Sequence, residues 1–227
     1  MAHIKVPSRF FCMFSKSTGK RLKMCVKMYV MECRVCFQYV LAERTFKAYY
    51  GMIGEVMSLR VRLVVVTDIR GIIARNENDP VNWSSAEDKR FFKQITTESG
   101  LVLMGRRTYE SIGRNLPGRI NVVMSRQKEI NLPYRPNYLV SGTPQEIVSF
   151  LRDKGYTDMC VIGGQSVFTE FLNAGLSTDI YITIEPMIMA GNLNLFGEIS
   201  NDLHLKLERV LKLNDVGTIN VHYRILQ

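Results

Sequence analysis

The sequence predicts an α/β domain built on a mostly parallel sheet with an antiparallel C-terminal edge. Three observations predict it. Short β-branched runs alternate with helical patterns between Arg62 and Ile184. Two of those runs, "LVLM" at 101–104 and "MCVI" at 159–162, are apolar at every position, as strands buried on both faces of a parallel sheet are. After "DIYITI" at 179–184 the helical patterns stop. Two alternating strands follow, around 203–211 and 218–225, joined by the turn "NDVGT".

Each element has a local reason. Arg62 to Ile69 reads as a buried strand, followed by Arg70-Gly71 and a second apolar pair, Ile72-Ile73. "RNENDPVN" at 75–82 is a polar loop. Ser84 or Ser85 can cap a helix in which Phe91, Phe92 and Ile95 recur at helical spacing, with acids first and bases later as the helix dipole prefers. Strand 101–104 runs into Gly105-Arg106-Arg107-Thr108 and a short helix through Tyr109, Ser111 and Ile112. A strand at 121–124 precedes a Pro-rich loop at 131–137. "TPQEIVSFLRDKG" is a helix with Thr143 as cap, Pro144 in the first turn, Glu146 completing a capping box and Gly155 as stop. The strand "MCVI" ends in Gly163-Gly164, and the helix "SVFTEFLNAG" that follows closes at Gly175. No internal repeat or low-complexity tract is visible.

The chain has 227 residues, 46% hydrophobic and 22% charged, enough for one large domain, or one domain with an appendage, that needs no disulfides or metal. No apolar run reaches the roughly 18 residues of a membrane-spanning helix. The net charge of +9 resembles a nucleic-acid signal until it is located. Residues 1–60 hold eleven Lys/Arg and three Asp/Glu, and the other 167 residues are within one charge of neutrality. Cysteine is equally lopsided. Cys12, Cys25, Cys33 and Cys36 lie near the start and Cys160 alone in the body, which excludes a disulfide framework there and points to a reducing cytoplasm. "CRVC" at 33–36 lacks a second Cys/His pair, so no metal is expected. "GEVM" at 54–57 can be encoded as a purine-rich ribosome-binding site ahead of a start codon, and "MSLRVRLVVVTD" reads as an N-terminus entering its first strand. Residues 1–56 are therefore expected to be translated upstream sequence or a dispensable basic extension, and 57–227 the working domain. The other reading is a genuine basic arm with a helix around 20–50.

Ligands of an open α/β sheet gather at the carboxyl ends of its strands. Gly105-Arg106-Arg107-Thr108 puts backbone N–H groups and two guanidiniums at one such end, which suits phosphate. Gly163-Gly164 lets backbone approach a ligand at another, although Gln165-Ser166-Val167 break the GxGxxG pattern. Either could be a plain turn; together they favour a phosphate-bearing cofactor. Asp88 lies in the first turns of its helix, five residues after Trp83, the sole tryptophan. Facing an apolar pocket it would hold a proton easily; otherwise it serves the helix dipole. The three histidines, His3, His204 and His222, form no metal site or triad.

"W-x4-D-x3-F-K" at 83–93, "MGRRTYESIGRNLPGRINVVMSR" at 104–126 and "VIGGQSVFTEFL" with "IYIT" at 161–183 resemble the dihydrofolate reductases, over residues 59 to the end. The resemblance implies a three-layer fold, an eight-stranded sheet flanked by helices, binding NADPH and dihydrofolate as a monomer or homodimer. It implies that Asp88 grips the pterin edge and assists protonation at N5, that Thr183 bonds Asp88, and that Trp83 holds a water. It implies a substrate wall of Val65, Val66, Phe92, Ile112, Ile162 and Phe168, with Arg119 on the substrate carboxylate. For the cofactor it implies Val66, Ile73 and Ile162, the phosphate turn Gly105 to Thr108, Ser125 and Arg126 near the 2′-phosphate, and Gly163, Gly164, Gln165, Ser166 and Val167 along the pyrophosphate. The sequence departs from the family at Asn82, Lys89, Gln165, Ser166 and Phe168, and the loop before Trp83 is about two residues longer.

"GLSTDIYITIEPMIMAGNLNLF" at 175–196 and "VVVTDIRGIIA" at 64–74 also resemble the reductase domain of riboflavin biosynthesis, which shares the fold and reduces a ribosylaminopyrimidine phosphate with NADPH. The zinc signature of its deaminase partner is absent. Asp88, Thr183 and Arg119 together favour folate. A third reading, a nucleotide- or nucleic-acid-binding module using the basic N-terminal segment, predicts retention on nucleic acid without NADPH turnover.

Overall fold

In the computed structural model the described residues are 59–76, 79, 82–127 and 134–226. The expectation for residues 1–56 lies outside them. The described elements are strands β1 (Arg60–Thr67) and β2 (Ile72–Ala74), helix α1 (Ala86–Ser99), strand β3 (Leu101–Gly105), helix α2 (Arg106–Ile112), strands β4 (Ile120–Met124) and β5 (Tyr138–Val140), helix α3 (Pro144–Asp153), strand β6 (Asp158–Val161), helix α4 (Gln165–Asn173), and strands β7 (Asp179–Ile184), β8 (Leu193–Asn194), β9 (His204–Lys212) and β10 (Ile219–Leu226).

Eight strands form one sheet in the order β5-β4-β3-β6-β1-β7-β10-β9, and β2 pairs with β8 apart from it. The first six run parallel, β10 is antiparallel to β7, and β9 is antiparallel to β10. Period-2 alternation on the central strands feeds two cores. Leu63, Leu101, Leu103 and Val161 pack with Ile147 and Leu151 of α3 and Phe168 and Phe171 of α4. Val64, Val102, Met104 and Cys160 pack on the opposite face with Ile95 of α1 and Tyr109 of α2. Neighbouring residues thus enter opposite layers, which is why these strands read as unbroken apolar runs. Each fully buried Leu or Val is worth about 1.5–3 kcal/mol relative to exposure.

The helix signals hold in detail. Thr143 Oγ1 accepts from Glu146 N–H, and Glu146 accepts from Thr143 N–H at 2.7 Å, the reciprocal capping box. Ser85, not Ser84, is the N-cap of α1, its hydroxyl accepting from Asp88 N–H at 3.2 Å, and Gly100 ends the helix in the left-handed region. Two strands were not expected. β5 extends the sheet by three residues beside β4, and β8 is a two-residue partner for β2. Asp68, which the sequence places within the first strand, lies just beyond β1. Its buried carboxylate accepts from the amides of Arg70, Ile72 and Met189, fixing the turn into β2.

Candidate functional site

The carboxyl ends of β1, β3, β4, β6 and β7 open on one cleft of about 1030 Å³. At its floor lies Asp88, only 5% exposed. Burial pushes its carboxyl above the ordinary range. Hydrogen bonds from the Ser84 and Thr183 side chains pull it back in part, the charge of Glu185 adds to the rise, and Lys89 opposes it. The net direction is upward. Thr183 accepts from Asn220 Nδ2 at 3.1 Å, so its own hydroxyl hydrogen is left for Asp88. Phe91, Phe92 and Ile112 supply the apolar walls beside this carboxyl. Trp83 does not border the cleft, and its indole Nε1–H is buried with no acceptor among the described residues.

The other half of the cleft is backbone. Gly105 N–H donates to Gly163 C=O at 2.8 Å, knitting the ends of β3 and β6 together. A Cβ on Gly105 would stand 3.1 Å from Val167 Cγ2, and one on Gly164 would stand 3.4 Å from Thr108 Oγ1. Gly163, with φ of 122°, sits where other residues fit poorly. The N-caps of α2 and α4, Gly105 and Gly164, offer no side-chain acceptor, whereas α1 and α3 are capped by Ser85 and Thr143. Two helix N-termini therefore meet the cleft with amide hydrogens uncommitted to a cap, the arrangement that binds phosphate oxygens. Arg106, paired with Glu110 at 2.6 Å, borders the same space with Arg107, Thr108, Ser125, Arg126 and Gln127. The cradle fits a dinucleotide: shallow glycine backbone, amide donors, and cations at its rim.

This organisation is that of a known group of enzymes. The dihydrofolate reductase family model matches residues 60–202. The chain belongs to the dihydrofolate reductase family. A dihydrofolate reductase of Haemophilus influenzae is 36% identical over 110 residues, which span 48% of this chain and 63% of that protein. Among solved structures, the dihydrofolate reductase of Enterococcus faecalis complexed with NADP(H) superposes with a TM-score of 0.62 at 21% identity, covering 74% of this chain and 97% of its own. A diaminohydroxyphosphoribosylaminopyrimidine deaminase/5-amino-6-(5-phosphoribosylamino)uracil reductase of Thermotoga maritima superposes with a TM-score of 0.61 at 17% identity, covering 74% and 57%. Both superpositions establish the shared fold.

Most residues implicated by sequence meet at this cleft: Val65, Val66, Ile73, Asp88, Phe92, Gly105, Arg106, Arg107, Thr108, Ile112, Ser125, Arg126, Ile162, Gly163 to Phe168, and Thr183. Arg119 does not border it. Its guanidinium donates to Thr96 Oγ1 at 2.8 Å and Pro117 C=O at 3.1 Å, while Arg114 borders the cleft nearby. Burial, then the charge of Arg114, lowers the proton affinity of Arg119. Two contributors were missed. Ser84, read as a possible cap, instead bonds Asp88. Asn121 fixes the loop that carries Arg119, bonding Leu116 N–H and the carbonyls of Leu116 and Arg119. Its lone polar side chain in the run "INVVM" was the available signal. Among the described residues no cluster suits a metal ion, and no helix is long and apolar enough to cross a membrane.

Proposed function

We propose that the protein reduces 7,8-dihydrofolate to 5,6,7,8-tetrahydrofolate with NADPH, by hydride transfer to C6 and protonation at N5. The observation that carries this reading is Asp88, a buried carboxyl with raised proton affinity, opening on the same cleft as a glycine cradle suited to a dinucleotide. NADPH, when bound, supplies the hydride. Gly105, Gly163 and Gly164 would give its phosphates close backbone approach, Ser125 would offer a hydroxyl, and Arg106, Arg107 and Arg126 would balance their charge. Asp88 faces the pterin's amidine-like edge, holding it in register and biasing the site toward the protonated state that N5 requires. Thr183, held by Asn220, and Ser84 both bond the Asp88 carboxyl and restrain it. Phe91, Phe92 and Ile112 exclude water from the reacting edge. Arg119, with Arg114, offers cationic charge to the substrate's carboxylates.

A second reading rests on "GLSTDIYITIEPMIMAGNLNLF" and on the fold shared with the Thermotoga maritima reductase: a ribosylaminopyrimidine phosphate in place of folate. Loss of NADPH absorbance with dihydrofolate, in wild type and Asp88→Asn, tests the first reading. Turnover in wild type that falls by about 10²–10⁴ in the variant, with NADPH binding retained, is the expected result. Turnover only with the aminopyrimidine phosphate would establish the second.

A further inference from the structure

Behind Asp88 lies a second buried carboxylate. Glu185, at 5% exposure, follows Thr183 by two residues, just past the end of β7, so both side chains project from one face. Thr183 turns onto the Asp88 carboxyl. Glu185 Oε1 accepts the Ser85 N–H at 2.7 Å, and Ser85 Oγ in turn accepts the Asp88 N–H at 3.2 Å. Glu185 therefore holds the N-cap on which the Asp88 backbone hangs. Its other oxygen accepts from Thr218 Oγ1 at 2.6 Å, and Thr218 accepts from Asn214 Nδ2 at 2.9 Å. Thr218 and Asn220, two residues apart at the start of β10, back Glu185 and Thr183 as a matched pair, and all four are buried.

We propose that Glu185 is a positioning residue for Asp88: it anchors the N-cap of α1 through Ser85 and sets a second carboxyl behind the first. This rests on the reductase reading above. Glu185 has no place in the cleft lining, so it acts through Asp88 and not on substrate. The charged neighbours that act on Asp88 are Glu185 from β7 and Lys89 from α1 itself, with opposite signs. The groups β10 presents there, Thr218 and Asn220, are neutral, and Glu87 is engaged by Arg90 and Asn214. Among the described residues, Glu185 is thus the neighbour whose charge acts most to favour a protonated Asp88. A protein that merely needed a capped helix could use a neutral acceptor; a carboxylate at this point also tunes the acid.

The test separates cap from charge. Glu185→Gln keeps an acceptor for Ser85 and removes the charge; Thr218→Val keeps the charge and loosens its anchor. Titration of the Asp88 carboxyl carbon in labelled free protein, assigned by its loss in Asp88→Asn, needs no substrate. In Glu185→Gln the Asp88 transition is expected to move to lower pH, and kcat with dihydrofolate to lose its proton-dependent limb earlier as pH rises. NADPH affinity and the KM for NADPH should stay within twofold. Thr218→Val should lower kcat severalfold with little movement of the Asp88 transition. An Asp88 transition unchanged in Glu185→Gln overturns the inference, whether or not wild type reduces dihydrofolate. Failure of wild type to reduce dihydrofolate, with the transition shifted as expected, removes the folate reading and leaves the pairing of Glu185 with Asp88 standing.

Discussion

Replacing Thr183 with valine removes one oxygen and keeps the shape of the side chain. Two buried groups then lose a partner. Asn220, 2% exposed, is left with an unpaired Nδ2 hydrogen, a cost of about 1–3 kcal/mol. Asp88 loses a donor to its carboxyl, a bond of about 1.5–3 kcal/mol in its ionised form. Asp88 keeps the Ser84 side chain as a donor, so the two losses do not add fully. A net destabilisation of about 2–3 kcal/mol follows, which for a domain of this size lowers Tm by roughly 4–12 °C. The carboxyl is then held less firmly, and kcat should fall about 10- to 100-fold while NADPH affinity stays put. Thermal melts and single-turnover kinetics on Thr183→Val read both quantities. The double variant Thr183→Val/Asn220→Leu removes both partners of the bond and should recover much of the stability but none of the rate. A Thr183→Val protein within about 0.5 kcal/mol of wild type, turning over at the wild-type rate, would refute the reasoning.

Other outcomes follow from the same structure. Arg119→Ala should weaken dihydrofolate binding about 10- to 100-fold and leave NADPH binding unchanged, as isothermal titration would show; equal folate affinity would remove Arg119 from the substrate site. Gly163→Ala meets no close atom but must take up φ of 122°, so it should cost more than about 1 kcal/mol in urea melts and weaken NADPH binding together. Burial pushes the Asp179 carboxyl up, yet Arg60 at 2.8 Å, Thr178 and His222 outweigh it and hold it well below the ordinary carboxylate range. A depressed folded pKa contributes stability that is complete above the unfolded value of about 4 and fades as pH falls below it. Asp179→Asn should therefore lose stability at pH 7 and show a flatter acid limb below about pH 4; because Arg60 is 40% exposed, solvent screens part of its share.

How much of this could be read from sequence depends on the range of the interaction. Local signals carried well: the Thr143 capping box, Gly100 after α1, and the glycines ending β3 and β6 each act within a few residues. Strand β5 escaped because three half-buried residues after a Pro-rich stretch carry no periodicity, and its identity comes only from pairing with β4. The anchoring of Arg119 escaped too, because nothing in sequence announces Thr96, twenty-three residues earlier on α1, as a partner of its guanidinium. Glu185 is the sharpest case. Its partner Ser85 is a hundred residues away, and only the docking of α1 beside β7 brings them together. A charged residue just past a strand invites the reading of a solvated end; in the fold Glu185 is buried.

The ladder from β10 has a consequence for how activity is acquired. The glycine cradle closes between β3 and β6, which neighbour each other in the sheet and are both made before β7. The backing of Asp88 arrives from Asn220, 132 residues downstream of it, and needs β10 to dock antiparallel on β7. Contacts of such span form late. During folding the chain should thus learn to hold a nucleotide before it can use one, and Asp88 would spend that interval as an ordinary helix-terminal aspartate.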